Sequence, residues 1–222
     1  MNAATAFRYP VEWIDCVRLR DGRQITIRPV LPQDDTLERE FVARGMTARS
    51  RYLRFLIGMQ ELPDGLAQAF TQIDYHNHFA LLAESHEDGL QVQVGDARFV
   101  RDDPLSDRAE FAIAIADAWQ GLGLGRHLLR LIVKAAHAHG VRQLYGDVLH
   151  ENVSMLALAA EHSFSRRRHP EDPRLQRVQR DLLVDAPVDD WDDAALAVLA
   201  RATGARAERA TLDTLRTPAR SH

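Results

Sequence analysis

The chain has 222 residues, 45% of them apolar, and a formal net charge of −4 at pH 7. That length suits one domain with an appendage, and the apolar fraction can fill a sizeable core. The charge advertises no nucleic-acid surface, no apolar run approaches the roughly 20 residues of a bilayer span, and the one cysteine, Cys16, excludes an internal disulfide or a thiolate metal cluster.

Met1 to Pro10 lacks a basic stretch followed by an apolar core, so no signal peptide is expected, and a soluble cytoplasmic protein without membrane contact is the default. Residues 1–16 show no clear pattern and read as an N-terminal extension, with Cys16 a structural residue. Val17 to Arg28 predicts a hairpin turning at Asp21-Gly22. Asp34 or Asp35 can cap a helix to about Ala43, and Thr47 a second one bearing Arg49, Arg51 and Arg54. Pro63-Asp64 opens a third. Phe79–Ala83 and Gln91–Val100 alternate around Asp88-Gly89 as a further hairpin. His76 and His78 lie in a polar loop with too few neighbours for a metal site, so no metal is expected.

The informative stretch is Ala109 to Arg126. An apolar strand with a single carboxylate, Glu110, runs into Gly121, Gly123 and Gly125, and then into a helix. Such a junction presents unpaired N–H groups at the positive end of a helix dipole, which suits a phosphate. The helix continues to about His139, with His137 and His139 read at its solvated end, and Gly140 stops it. Leu144–Leu149 follows as a strand, which implies a parallel pair and a right-handed crossover. Asn152 can cap another helix. Phe164–Arg168 and Leu175–Val184 close the domain, which is expected to span 17–186; Arg166 to Arg168 read as a solvated edge. Residues 187–222 are expected to be an extension, with an amphipathic helix over Asp189–Arg201 bearing Trp191, Leu196 and Leu199, and a weakly ordered tail.

Three phosphate-binding readings compete for the glycine loop. A Walker loop needs a Gly-Lys-Ser/Thr ending that is absent. A dinucleotide fingerprint starting at Gly121 needs glycine at position 126, which is Arg126, although Asp147 falls where the ribose-binding acid would. Gln120-x-x-Gly123-x-Gly125 instead matches the Gln/Arg-x-x-Gly-x-Gly/Ala signature of the GNAT acyl-CoA N-acyltransferases. The flanking segments are in that family's order, including Glu151-Asn152-x-x-Met155 and Phe164, where Ser163 replaces a customary glycine. Leu19-Arg-Asp-Gly, Ile27-Arg-Pro, Ser50-Arg-Tyr-Leu-Arg-Phe and Ala109-Glu-Phe-Ala resemble the bacterial Pat-type protein lysine acetyltransferase branch. That branch often carries a fused acyl-CoA-synthetase-like domain, for which this chain has no room.

The resemblance implies an α/β (α+β) GNAT fold with a mixed, mostly antiparallel twisted sheet of six or seven strands flanked by helices. It implies acetyl-CoA in a V-shaped opening between the fourth and fifth strands. The backbone from Gly121 to Arg126, with Leu124 and Gly125, would hold the pyrophosphate, helped by Gln120. Ile113 and Ile115 would pair with the pantetheine arm, and Asn152 would steady it. Glu110 would be the catalytic base for an amine, a protein lysine in the Pat-like reading, and a backbone N–H near Ile115 would meet the oxyanion. Many relatives carry a tyrosine where this chain has Ala159; Tyr145 can replace it as an acid only if its side chain faces the opening. The residue-level rivals are an edge Glu110 paired with Arg108 or Arg98, and an Asn152 that is simply a helix cap. The functional rivals are a non-catalytic acyl-CoA-binding module and a small-amine acetyltransferase; a homodimer is left open.

Overall fold

A computed structural model describes residues 8–182 of the chain. Its strands are β1 (Asp15–Arg18), β2 (Gln24–Pro29), β3 (His78–Glu87), β4 (Leu90–Arg101), β5 (Arg108–Ile115), β6 (Gln143–Leu149), β7 (Ser165–Arg168) and β8 (Leu175–Asp181). Its helices are α1 (Asp35–Glu40), α2 (Ala48–Phe55), α3 (Asp64–Thr71), α4 (Leu124–Ala138) and α5 (Val153–Glu161). All the strands form one sheet in the order β1-β2-β3-β4-β5-β6-β8-β7. Eight strands are present rather than six or seven, because the short, fully exposed β7 adds an outer edge to the sheet.

Every neighbouring pair is antiparallel except β5 and β6. A parallel pair needs a crossover, and α4 supplies it. Period-two alternation along β5 sends Phe111, Ile113 and Ile115 to one face and Glu110, Ala112 and Ala114 to the other. The first face packs on α4, whose Leu124, Leu128, Leu129, Ile132, Ala135 and Ala136 are buried. The helices α1 to α3 cover part of the second face, where Glu38 of α1 and Phe70 of α3 meet Arg98. Among the described residues no helix is long and apolar enough to cross a membrane.

The turns obey local chemistry. Gly22 and the pair Asp88-Gly89 take positive φ at the hairpin tips, the backbone region that glycine and aspartate tolerate best. The Thr47 side chain accepts from the Ser50 amide and caps α2. Upstream of the first hairpin, the Tyr9 hydroxyl donates to the Pro29 carbonyl at 2.9 Å and the Trp13 ring packs 5.6 Å from Phe79, so these residues dock on the sheet. The proposed Asp189–Arg201 helix and the rest of 187–222 lie outside the described residues.

One single-residue reading is corrected. His139 is not a solvated helix end: its ring lies 5.3 Å from Phe79 and 5.8 Å from Phe99, and its Nδ1 is 2.7 Å from the Ala135 carbonyl. Cys16, read as structural, is exposed on β1, with its sulfur 4.0 Å from the Thr26 hydroxyl. His78 starts β3 next to Arg98, and burial together with that cation lowers its pKa to about 4. Among the described residues no cluster of three or more metal-ligating side chains occurs.

After α5 the chain reverses at Ser163, which has φ 62°. The reversal seats Phe164 in the core, 5.0 Å from the Phe111 ring. A side chain in this left-handed region costs about 1–2 kcal/mol, partly offset by its lower unfolded-state entropy than glycine's. Ser163→Gly is therefore expected to stabilise the fold by about 0.5–1 kcal/mol. Urea denaturation measures this, and an unchanged or lower midpoint counts against strain at Ser163.

Candidate active site

The site begins where β5 and β6 stop pairing. They share three register positions, Arg108 with Gln143, Ala109 with Leu144 and Glu110 with Tyr145. Beyond Glu110 they part. β4 follows β5 as far as Ile115, and β8 follows β6 as far as Leu149, so each strand is held on its outer side. Gly146 stands at the fork. A Cβ there would lie 3.0 Å from the Phe111 ring and 3.1 Å from the Phe111 carbonyl oxygen, tighter than most packed contacts, so these neighbours would have to shift. The absence of a side chain at Gly146 lets the Phe111 backbone and ring approach.

The fork opens into a cleft of about 730 Å³. Its lining includes Glu110, Ile113, Ile115, Gln120, Gly121, Gly123, Gly125, Arg126 and Asn152, so nearly all the residues singled out in the sequence meet in one place. Leu124 differs: its side chain is buried in the core, and only its backbone belongs to the loop.

At one end lies the glycine loop. Gly121 and Gly123 take φ of 74° and 97°, a region closed to most side chains. No side chain caps α4. The five successive amides from Gly121 to Gly125 find no acceptor among the described residues. Five free N–H groups at a helix N-terminus form a cradle for a phosphate or pyrophosphate. The Arg126 guanidinium, at the start of α4, forms an exposed ion pair with Glu161 at 2.7 and 2.9 Å. The cation the sequence reading missed is Arg20, from the tip of the first hairpin. Its Nε lies 3.8 Å from where a Cβ on Gly123 would stand, and it lines the cleft. Its backbone N–H donates to the Leu122 carbonyl at 3.3 Å, which ties the hairpin to the loop. Hairpin and loop are a hundred residues apart, so no local pattern signals this contact.

Gln120 and Asn152 both have structural duties. The Gln120 amide donates to the Ile115 carbonyl at 3.2 Å, at the end of β5. Asn152 Oδ1 accepts from the Met155 amide and the Ser154 hydroxyl, both at 3.1 Å, so it does cap α5.

At the other end stands Glu110. Neither cation suggested by its sequence neighbourhood pairs with it. Arg98 is committed to Glu38 and Asp96, and Arg108 donates to Gln143 and lies 3.9 Å from Asp102. Glu110 meets solvent through the cleft mouth, yet protein surrounds much of its carboxyl group. That burial raises its pKa, the Asp147 charge raises it further, and Arg54 and Arg177 pull it back. Tyr145 shares the register position of Glu110, but its hydroxyl donates to Asp102 at 2.7 Å and its ring lies between Arg108 and Arg177. Burial and the Asp102 bond push its pKa well above the ordinary tyrosine value. It is a poor proton donor in that setting.

Asp147 is held at the cleft edge by two bonds from Arg177, at 2.8 and 2.7 Å, and by His169 at 3.1 Å. Opposite, α2 is tethered at its start by Asp117, which accepts from Thr47 and Ser50. An exposed Arg49–Glu151 ion pair of 3.0 Å then links α2 to the segment between β6 and α5.

Residues 24–165 match the family described as the acetyltransferase (GNAT) domain. An acetyltransferase of Pseudomonas aeruginosa is 34% identical over 160 residues, covering 72% of this chain and 84% of that protein. The acetyltransferase Pat of Mycolicibacterium smegmatis is 31% identical over 140 residues, which are 63% of this chain and 40% of that protein. The chain thus spans less than half of that relative's length. Among solved structures, the GNAT domain of S. lividans PAT superposes with a TM-score of 0.71 at 25% identity, over 78% of this chain and 99% of that one.

The fork supplies a direct test. Gly146→Ala places a methyl group against the Phe111 carbonyl and ring, and is expected to cost about 1–3 kcal/mol of stability through overpacking. Chemical denaturation of the variant measures it, and an unaltered unfolding free energy would show that another constraint parts the strands.

Proposed function

The chain belongs to the GNAT acetyltransferase family and is an acyl-CoA N-acyltransferase; within that chemistry, we propose that its acceptor is a protein lysine and that Glu110 is the general base. One observation supports the base above all: Glu110 lines the cleft at the fork, lacks an ion-pair partner among the described residues, and has a raised pKa. The lysine acceptor is what the resemblance to the Pat branch implies, and proteins named Pat are among those this chain is similar to.

The residues suit acetyl-CoA as co-substrate. The pyrophosphate takes the amides of Gly121 to Gly125, with Arg20 beside them. The pantetheine arm is an amide chain, and the β6-facing edge of β5 past Glu110 has no strand on it. An amide chain can add to such an edge as a strand would. On this reading the thioester lies near the fork.

A lysine amine has a solution pKa of about 10.4 and is mostly protonated near neutrality. Glu110, unpaired among the described residues, gives this end of the cleft a carboxylate that attracts the ammonium ion, with the Arg177-bound Asp147 beside it. Glu110 takes the proton, directly or through a water. The amine nitrogen then attacks the thioester carbonyl carbon, a C–N bond forms, and charge moves to the carbonyl oxygen. Collapse breaks the C–S bond, CoA leaves as a thiolate, and the second proton on the nitrogen passes to solvent or to the departing thiolate, which leaves a neutral amide. A thiol of pKa about 8.5 departs without a strong acid, so the alanine at Ala159 and the engaged Tyr145 leave the reaction workable.

Two measurements test this reading. Glu110→Gln is expected to lower kcat for lysine peptides at least about 100-fold, within the range of a lost general base, while acetyl-CoA binding by calorimetry stays within about twofold. A base works ionised, so the wild-type rate is expected to rise with pH through the raised Glu110 pKa and then level; the variant loses that limb. Equal turnover by variant and wild type removes Glu110 from the chemistry, and acetyl-CoA binding with no turnover of any amine points to a non-catalytic module. Arg20→Ala is expected to weaken acetyl-CoA binding about tenfold, or ~1.4 kcal/mol, as for a charge-assisted hydrogen bond. Its effect on acetyl-pantetheine, which lacks the phosphates, is expected to be negligible, and an equal loss for both ligands argues against a phosphate contact.

A further inference from the structure

On the Glu110 face of the sheet, β4 with α1 and α2 brings together four buried or nearly buried charges, Arg98, Asp96, Glu38 and Arg54. Arg98 of β4 donates from Nη2 to Glu38 at 3.0 Å, from Nε to Asp96 at 3.0 Å, and from Nη1 to the Phe70 carbonyl at 3.2 Å. Its guanidinium also stacks 3.7 Å over the Phe70 ring. Arg98 is fully engaged, as a cation with 3% of its side chain exposed must be.

The fourth charge is held only loosely. Arg54 projects from α2 into the cleft wall with 15% of its side chain exposed. Its closest carboxylate oxygen, Asp96 Oδ1, lies 4.0 Å away, and that carboxylate is already bonded to Arg98. The guanidinium rests between two ring contacts, 5.0 Å to Phe55 and 5.8 Å to Phe70, and makes no hydrogen bond among the described residues. Five N–H donors removed from most of the solvent and left without acceptors are costly. The other arginines of this helix show the contrast. Arg51 donates to the carbonyls of Met59, Val42, Ala43 and Met46, and Arg49 pairs with Glu151.

We propose that Arg54 recognises a carboxylate carried by the acceptor near its reactive amine. The geometry that supports this is a cleft wall of Phe55, Leu66, Phe70 and Val100 with one unspent planar fork in it, across from Glu110. A guanidinium takes a carboxylate through two parallel bonds, and apolar walls strengthen them. The acceptor is then zwitterionic in outline, with its amine toward Glu110 and Asp147 and its carboxylate toward Arg54. The phosphates of the co-substrate do not compete, because the glycine loop holds them at the other end. The carboxylate has two sources: an acidic residue flanking a protein lysine, or the α-carboxylate of a free amino acid. The inference rests on the reading that the Glu110 end of the cleft receives the amine.

The test uses two acceptor pairs at saturating acetyl-CoA. One pair is a lysine peptide flanked by aspartate and the same peptide flanked by asparagine. The other is free lysine and lysinamide. Wild type is expected to favour the carboxylate member of at least one pair about tenfold in kcat/KM, through KM, and the favoured pair identifies the source. Arg54→Gln is expected to bring that ratio close to one, and Arg54→Lys, which keeps charge without the fork, to restore only part of it. Melting temperature and acetyl-CoA affinity identify a variant that has merely misfolded, and the lysine variant then carries the comparison. No preference in wild type, or a preference that survives Arg54→Gln, overturns the proposal. So does an equal fall in kcat for all four acceptors, which would move Arg54 to the reacting carbonyl. If no amine is acetylated, the proposed function fails separately. Binding of the same four probes to the CoA-saturated protein still decides the role of Arg54.

Discussion

The parting of β5 from β6 is the constraint on which the site depends. Two parallel strands would normally continue side by side and satisfy each other's backbone groups. Here they separate after three register positions, while β4 and β8 keep the outer edges paired. The fork is tight because glycine at position 146 faces the ring and carbonyl of Phe111, and Phe164 supports that ring from beyond α5. Each consequence follows in turn: a free β5 edge, a cleft that runs back to the glycine loop, and a carboxylate at the point of divergence.

The glycine loop and Glu110 lie at opposite ends of that cleft and do different physical work. The loop offers neutral N–H groups whose donors converge without any capping side chain, so an anion satisfies them at little reorganisation cost. Glu110 sits among opposing charges, with Asp147 raising its pKa and Arg54 and Arg177 lowering it. Such balanced perturbation is common where a group must exchange protons near neutral pH. The buried Arg98–Asp96–Glu38 cluster on the same face of the sheet has its own consequence: removing one member would leave an uncompensated charge, at a cost of about 3–5 kcal/mol. Burial and the neighbouring Asp96 raise the Glu38 pKa above the ordinary carboxylate value.

Much of the fold is legible in the chain because its signals are local. Asp21-Gly22 and Asp88-Gly89 mark hairpins, Thr47 caps a helix, Gly140 ends one, and alternation along β5 separates Glu110 from the apolar face. The cleft residues named from the glycine loop and its strand gather as expected, apart from the Leu124 side chain. What local pattern misread or left open were side chains whose partners lie far along the chain. His139 packs into an aromatic cluster rather than solvent, Tyr145, whose direction alternation leaves open, meets Asp102, and Arg126 pairs with Glu161. A helical wheel or an alternation count says which way a residue points, not what stands opposite it.

The sequence by itself determined most of the elements, their order, the glycine loop at a helix start and the lone carboxylate on an apolar strand, since each depends on neighbours within a few residues. Only the tertiary structure decided which arginines are spent and which are not. Arg49, Arg51 and Arg54 occupy one short helix and look alike in the chain. Arg49 finds Glu151, Arg51 finds four backbone carbonyls, and Arg54 finds the cleft. The physical reason is that a guanidinium's role is set by the acceptors within about 3 Å of it, and those acceptors come from strands and loops that folding alone brings alongside. The same holds for Gly146, an ordinary strand glycine until Phe111 is packed against it and the strands divide.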